Sequence, residues 1–382
     1  MTPQSKDTQE VPVSQNEFQA YVRDQMRAAL RVTLTAVLEE ELTAIIGAGR
    51  YEQTSARRDH RNGSYQRDLL TSVGPLEDLD VPRSRQGHQT QLFERYQRRQ
   101  AELDAAMLKM FVGGNSTEQV SNVVEALTGS APSASAVSRL FHTLEAEYAA
   151  WRERPLAPHY QYVFADGTYF SVIYEGQGHK MPILAVVGIN LAGEREVLGF
   201  TIGDRENQQA WTDLLEQFKQ RGLKQVDLWI TDGNQAMLNA IERKFATAQR
   251  QRCVAHKIKN VLGYLPKERH AQVEPELKAI FYQESRAQAD QALAAFCLKF
   301  EKHYPTAVAC LRRDSDACLT FYRFPKAHWK TIRTNNSCER LFEEVKKRYH
   351  KMNAAYRNEN SCLLMFFAVI RSLTFRRIPM PG

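Results

Sequence analysis

The sequence predicts a mixed α/β fold that contains an all-helical segment and follows a mainly helical region. Three observations support this prediction. Hydrophobic residues recur at spacings of three and four over much of residues 15–145, as in amphipathic helices. Short runs of β-branched and aromatic residues then alternate with helical patterns from 160 to 262. Residues 263–328 show helical patterns alone.

Composition and charge indicate a globular protein with a polyanionic partner. The 382 residues are 43% hydrophobic and 25% charged, with a net charge of +7 and a pI of about 9.0. Clustered Lys and Arg gain affinity by releasing counterions from phosphates, so nucleic acid is the first candidate partner. No apolar run reaches the roughly 18 residues of a membrane span, so we expect no membrane partner.

Cysteine usage and the N-terminal sequence predict a reducing, cytoplasmic location. All six cysteines fall in the second half of the chain, and none forms a CxxC pair. The first residues show no apolar core of the kind that signal peptides have.

The chain begins with a polar segment, 1–14, that is predicted to be disordered. A long amphipathic helix follows within 15–50, because apolar residues from Phe18 to Ile46 keep helical spacing and glycines end the pattern. This helix can pack on its own domain or on a second copy of the chain, and its periodicity is compatible with both.

Residues 51–150 are predicted to form a basic DNA-binding region. Arg57, Arg58 and Arg61 lie in loop-like sequence that suits phosphate contacts, with a solvated basic surface as the alternative. Strands at 69–73 and 76–81 are predicted to form a hairpin that turns at Gly74-Pro75.

Helices at 117–127 and 134–144, joined by a glycine-containing turn, follow the helix-turn-helix plan. Arg139 would then face a DNA groove. A plain helical hairpin is the alternative.

The predicted catalytic core comes in two parts. Its first part, 160–262, has three strands, a helix, a strand, a helix and a final strand. Antiparallel strands extended by parallel ones, with helices between them, form the ribonuclease-H-like plan. An all-helical insertion at 263–328 interrupts the core, its second part occupies 329–376, and 377–382 form a tail.

Three acidic residues are the candidate catalytic and metal-binding groups. Asp166 lies inside the first core strand, where a buried carboxylate is costly without a metal or another cation; a strand-end turn with Gly167 is the alternative. Asp232 follows the fourth strand, which neighbours the first in this topology, and Glu339 opens a helix after the insertion. Converging carboxylates bind hard divalent cations, and two such ions promote in-line phosphoryl transfer.

Several motifs together resemble one family. They are Arg61-Asn62-Gly63, Val81-Pro82-Arg83, Asp166-Gly167, Glu196-Val197-Leu198-Gly199, Trp211, Arg221-Gly222-Leu223, Thr231-Asp232-Gly233, Gln251-Arg252-Cys253 with His256 and Asn260, and Arg333-Thr334-Asn335 with Glu339-Arg340. With them the chain resembles bacterial insertion-sequence transposases of the IS256 (Mutator-like) family from about residue 40 to 375.

The resemblance implies a DDE transposase in which Asp166, Asp232 and Glu339 bind Mg²⁺, for which Mn²⁺ can substitute. It implies double-stranded DNA partners, namely terminal inverted repeats and a target into which strands are transferred. A homodimer or higher oligomer is expected, because two transposon ends must be held together. A DNA-binding regulator with an inactive nuclease fold and a hydrolytic nuclease of the same fold are the alternatives.

Three further residues are expected to support the active site. Cys253 and His256 form half of a zinc site, but no second Cys/His pair lies near them in sequence, so no zinc is expected. His256 is instead a candidate hydrogen-bond partner of an active-site acid or a contact of the scissile phosphate. Arg340 is a candidate phosphate contact or ion-pair partner.

Four more residues are candidate DNA contacts, each with a structural alternative. Trp329 either stacks on an unpaired base of the transposon end or packs in the core. Lys346, Lys347 and Arg348 either form a track for DNA or make up a solvated helix face.

Overall fold

The computed structural model describes residues 14–379 except 95–96, 175, 204–206, 353–355 and 357. The chain divides into two compact units, Met1–Thr143 and Leu144–Gly382. The predicted N-terminal tail lies outside the described residues apart from Ser14, and so do the last three residues of the predicted C-terminal tail.

The first unit begins with the long helix α1 (Gln15–Ile46), as the periodicity predicts. Ser14 caps it rather than belonging to the tail: its hydroxyl accepts from the Glu17 N–H, and the Glu17 carboxylate accepts from the Ser14 N–H. Side chains near the C-terminal end of α1 are buried, whereas Phe18 and Met26 are 57% and 51% exposed.

An antiparallel hairpin follows, formed by β1 (Arg61–Thr71) and β2 (Gly74–Ser84). The predicted turn at Gly74-Pro75 is wrong, because Thr71 pairs with Gly74 and the turn comprises the two residues between them. Gly74 has a φ of 120°, and the Thr71 hydroxyl donates to its carbonyl at 2.7 Å. Glycine therefore ends the turn and starts the second strand.

Three short helices complete the first unit: α2 (Ala101–Val112), α3 (Thr117–Thr128) and α4 (Ala134–His142). Their apolar faces share one buried cluster. Gly129 ends α3 with a φ of 76°, and the Ser133 hydroxyl caps α4.

The second unit begins with α5 (Leu144–Glu153), which the sequence patterns did not predict. Its sheet is mixed, as the predicted α/β class requires, and runs in the order β5-β4-β3-β6-β7. β3 is antiparallel to β4, β4 is antiparallel to β5, and β6 is parallel to both β3 and β7. The strands are β3 (His159–Tyr174), β4 (Gln177–Asn190), β5 (Arg195–Ile202), β6 (Gln225–Thr231) and β7 (Gln249–Arg252).

Two helices, α6 (Gln208–Gln220) and α7 (Gln235–Lys244), cover one face of this sheet. Trp211 and Phe218 of α6 and Trp229 of β6 are fully buried in the layer between them. Burial of a large aromatic side chain contributes about 2–3 kcal/mol, so this layer is a main source of the unit's stability.

Residues 253–335, all of which are described, hold helices and no strand. The α-helices are α8 (Val254–Leu262), α9 (Lys267–Phe281), α10 (Arg286–Phe300), α11 (Pro305–Arg312), α12 (Ser315–Cys318) and α13 (Trp329–Ile332), with 3₁₀ turns at Thr320–Arg323 and Lys326–His328. All six cysteines of the chain are buried and unbonded to one another. None of the described helices has the length and apolar content to cross a bilayer.

The last two helices, α14 (Asn336–Met352) and α15 (Glu359–Ser372), pack on the other face of the sheet together with α5. Phe200 of β5 stacks there on Tyr148 of α5 and on Phe366 of α15. This packing brings the first turn of α14 against β3 and β4.

Candidate active site

Asp166 and Asp232 each follow the last residue pair of two neighbouring strands. The parallel pairing of β3 and β6 ends at Ala165 and Thr231; Asp166 continues β3, and Asp232 lies just past the end of β6. Paired strands are about 4.8 Å apart, which puts both residues at one edge of the sheet. This is the edge where parallel strands end and where open α/β sheets bind their ligands.

The backbone around each aspartate fixes its position. Asp166 is only 6% exposed, and its Oδ1 accepts from the Gly167 N–H at 2.9 Å. The Oδ1 of Asp232 accepts from the Asn234 N–H at 2.8 Å. Gly233, between Asp232 and Asn234, has a φ of 81°, and a Cβ there would lie 1.2 Å from Nη1 of Arg252. Only glycine fits at this position.

Buried Asn335 connects the aspartate strands to helix α14. Its side-chain amide donates to the Ala165 carbonyl at 2.8 Å, and its backbone N–H donates to Sγ of Cys253 at 3.2 Å. The Cys253 N–H in turn donates to the Thr231 carbonyl at 2.7 Å. Two residues therefore link the middle of β3 and the end of β6 to the start of the helix that contains Glu339.

Cys338 fixes the first turn of α14. Its thiol is fully buried and donates to the Phe164 carbonyl at 3.4 Å. Burial raises the pKa of Cys338 well above the usual range, and the negative charges of Asp166 and Glu339 raise it further.

Glu339 lies beside Cys253 and His256. One ligand atom from each of these three residues lies within 4.8 Å of the other two. Nδ1 of His256 is 3.7 Å from Oε1 of Glu339 and has no hydrogen-bond partner among the described residues. Asp166 and Asp232 are not members of this group of close ligand atoms. Glu339 therefore faces the imidazole of His256.

The donor set separates into hard and soft ligands. Asp166, Asp232 and Glu339 offer carboxylate oxygens, which suit Mg²⁺ or Mn²⁺. Cys253 offers sulfur, but burial raises the pKa of its thiol, and a metal would need the thiolate. From the sequence no zinc is expected, because no second Cys/His pair lies near Cys253 and His256. In the fold, Glu339, which is distant in sequence, offers the third candidate ligand atom beside them.

The remaining candidates on α13 and α14 have distinct surroundings. The indole N–H of Trp329 donates to the Phe324 carbonyl at 2.7 Å, and its ring lies edge-on to Tyr322 at 4.7 Å. These contacts favour the packing alternative for Trp329. Arg340 is exposed and has no acidic partner among the described side chains.

The three basic residues late in α14 do not act alike. Lys346 donates to the Thr168 hydroxyl of β3 at 2.7 Å. It lies two helical turns after Glu339 and on the same face. Lys347 and Arg348 instead pair with Glu344 of their own helix, which is the arrangement of a solvated helix face.

The candidate DNA contacts of the first unit fall into two groups, those bonded within the unit and those exposed. Arg57 donates to the carbonyls of Gly49 and Glu52, and Arg61 pairs with Glu39 at 2.5 Å. These two guanidinium groups therefore stabilise the unit itself. The side chains of Arg58 and Arg139 are exposed.

Four contacts near the site join residues of β7 and α8 to later parts of the helical segment, and hydrophobic periodicity indicates none of them. Buried Gln251 donates to the Cys318 carbonyl at 2.8 Å and accepts from the Phe321 N–H at 2.8 Å. Lys257, also buried, pairs with Asp314, which Arg252 approaches at 3.2 Å. The partners are more than 50 positions apart in the chain, so only the tertiary structure reveals them.

Comparison with known proteins identifies the family. The family model described as "Transposase, Mutator family" matches residues 1–376. The transposase of ISRM5 from Rhizobium meliloti (strain 1021) is 35% identical over 347 residues, which cover 91% of this chain and 87% of that protein. The IS256 transposase of transposon Tn4001 from Staphylococcus aureus is 33% identical over 354 residues, covering 92% and 90%.

Among solved structures, the Mos1 mariner paired-end complex with Mn matches 58% of this chain and 80% of its own at 12% identity. Its TM-score of 0.17 is too low to support any statement about the fold. The family model and the relatives are sufficient by themselves: the chain belongs to the Mutator family of transposases.

Proposed function

We propose that the protein binds the terminal inverted repeats of an insertion sequence and catalyses metal-dependent DNA strand cleavage and strand transfer. The observation that supports this most directly is the register of β3 and β6, whose last pair, Ala165 and Thr231, directly precedes Asp166 and Asp232. The hydrogen bonds of Asn335 and Cys338 to β3 support a position of Glu339 near the same strands. The sheet order and the helical segment before Glu339 match the ribonuclease-H-like plan, which we propose for this core.

Asp166, Asp232 and Glu339 would hold two Mg²⁺ ions, which supply Lewis acidity to the attacking and leaving oxygens of an in-line displacement. His256 lies close enough to Glu339 to orient its carboxylate or to donate to a phosphate oxygen. Lys346, on the Glu339 face of α14, is positioned to contact the same DNA strand. Asn335 positions these groups without contacting the substrate itself.

The test replaces each acid by its amide. Asp166→Asn, Asp232→Asn and Glu339→Gln should abolish nicking and joining of an inverted-repeat substrate in Mg²⁺ while leaving end binding largely intact. Glu343→Gln is the matched control, because Glu343 is an exposed acid on the next turn of α14. Full activity in any of the three variants would refute the assignment.

The same assay separates the alternatives. Nicked products without joined products would identify a hydrolytic nuclease. Specific binding without Mg²⁺-dependent nicking by the wild-type chain would identify a regulator with an inactive nuclease fold.

We further propose that the first unit recognises the transposon end and that the protein acts as a dimer or larger assembly. The α3–α4 pair has helix-turn-helix order, and Arg139 on its second helix is exposed. Phe18, Val22 and Met26 form an exposed apolar stripe on α1 at a spacing of four. A second copy of this helix is the partner we propose for that stripe, since two ends must be held together.

A further inference from the structure

A basic cavity of about 490 Å³ lies beside the first turns of α14. Four cationic side chains line it: Arg195 at the start of β5, Lys330 of α13, Arg340 of α14 and Arg376 after α15. Hydroxyl groups of Thr334, Ser337 and Thr374 also line it. The lining therefore combines positive charge with hydrogen-bond donors.

None of these four cations has an acidic partner among the described residues. The cavity has one acidic lining residue, Glu344, and this carboxylate is engaged by Lys347 and Arg348. Nε of Arg195 is buried without a hydrogen-bond acceptor among the described groups. Burial lowers the pKa of Arg195, and the neighbouring charge of Arg340 lowers it further. A partly buried guanidinium beside other cations is costly unless an anion joins them.

The cavity adjoins the candidate active site along the chain. Ser337 and Arg340 lie two positions before and one position after Glu339 in the first turns of α14. Adjacent Cα atoms are about 3.8 Å apart, so these cavity residues and Glu339 lie within one helical turn of each other. A phosphate next to one held at Glu339 is therefore within reach of this cavity.

We propose that the cavity lined by Arg195, Lys330, Arg340 and Arg376 binds a backbone phosphate of the DNA strand that occupies the candidate active site. The inference rests on the proposed function, and it adds Arg195, Lys330 and Arg376 to Arg340, the phosphate contact that the sequence already suggested. Guanidinium groups offer paired N–H donors that match two phosphate oxygens, and the hydroxyl groups supply further donors. A backbone phosphate supplies the negative charge and the hydrogen-bond acceptors that the cavity's side chains require, and this contact does not depend on the base sequence.

The test measures how the affinity for an inverted-repeat duplex depends on salt, in the absence of divalent metal. Each phosphate contact contributes about 0.9 to the slope of log K against log [salt]. Because one phosphate is shared by four cations, Arg195→Gln and Arg376→Gln should each lower the slope by part of that amount and the double variant by up to all of it, whereas Arg195→Lys, which keeps the charge, should restore most of the slope. Lys278→Gln is the matched control, because Lys278 is exposed and paired with Glu274 at 2.6 Å.

The outcomes separate the possible sources of phosphate. The proposal is wrong if Arg195→Gln and Arg376→Gln show the same slope of log K against log [salt] as the wild type. If inorganic phosphate raises the melting temperature of the wild type but not of Arg195→Gln, while the DNA slope stays unchanged, the cavity takes a free anion and the DNA assignment is wrong. Because binding is measured without metal, the result is independent of the cleavage tests on Glu339→Gln.

Discussion

At the scale of single residues, Asn335 joins the segments of the candidate site. We expect Asn335→Ala to lower the free energy of unfolding by about 1–3 kcal/mol, because the buried Ala165 carbonyl then loses its donor. Urea titration of wild type and variant measures the change. Asn336→Ala, at an exposed position one residue later, should shift the midpoint little.

A second expectation for Asn335→Ala concerns catalysis. Loss of the link should reduce nicking even where the protein is fully folded, because Glu339 is then less firmly positioned. Nicking at the wild-type rate below the unfolding transition would contradict this role.

Buried thiols make the free energy of unfolding decrease at alkaline pH. Burial raises the pKa of Cys318 from about 9.0 to about 12. Between these values the folded state keeps the proton that the unfolded chain loses, so stability is full below about pH 9 and falls as the pH rises. We expect the wild type to lose about 1.4 kcal/mol per pH unit more than Cys318→Ala in this range.

Urea titrations of both proteins from pH 8 to 10.5 measure this difference. Other buried thiols and tyrosines act in the same direction in both proteins, so the difference between the two curves isolates Cys318. Parallel curves across the range would show that this thiol does not contribute.

At the scale of elements, the apolar stripe on α1 allows a direct test of self-association. Met26→Glu should weaken the dimer at least about tenfold, because a carboxylate replaces an apolar side chain in the proposed contact, and tenfold corresponds to ~1.4 kcal/mol. Sedimentation equilibrium measures the dissociation constant. Gln25→Glu adds the same charge at the exposed neighbouring position and should leave the constant unchanged.

Elements with a strong repeating pattern could be predicted from the sequence, and irregular ones could not. The hydrophobic spacing from Phe18 to Ile46 predicted the long helix α1, because apolar residues keep helical spacing over its whole length. Short α12 and α13 have too few residues to show a period. The hairpin turn was misplaced because the Thr71 hydroxyl and the backbone of Gly74, rather than the Gly-Pro pair, determine where the strands reverse.

The part of the candidate site that depends on strand order could be predicted from the sequence. Asp166 and Asp232 could be paired because the topology makes β3 and β6 neighbours. The interactions of Asn335, Gln251 and Arg195 depend on side chains or cavities far apart in sequence, so no local pattern indicates them.

At the scale of the whole molecule, the division into two compact units predicts separable functions. A fragment of residues 144–382 contains the entire sheet and all three acids. We expect it to unfold cooperatively in urea and to retain Mg²⁺-dependent nicking while losing preference for inverted-repeat ends. Binding competition between specific and random duplexes measures that preference, and undiminished preference would place end recognition in the second unit.

The hydrogen bond between Asn335 and Ala165 also has a consequence for biosynthesis. It spans 170 positions of the chain. Ribosomes add ~5–20 residues per second, so the roughly 80 residues between the end of β7 and Asn335 take about 4–16 s to synthesise. During that interval the nascent chain has both aspartates but no Glu339. We expect cleavage activity to appear only once translation is nearly finished, so that an interrupted translation product can occupy DNA but cannot cut it.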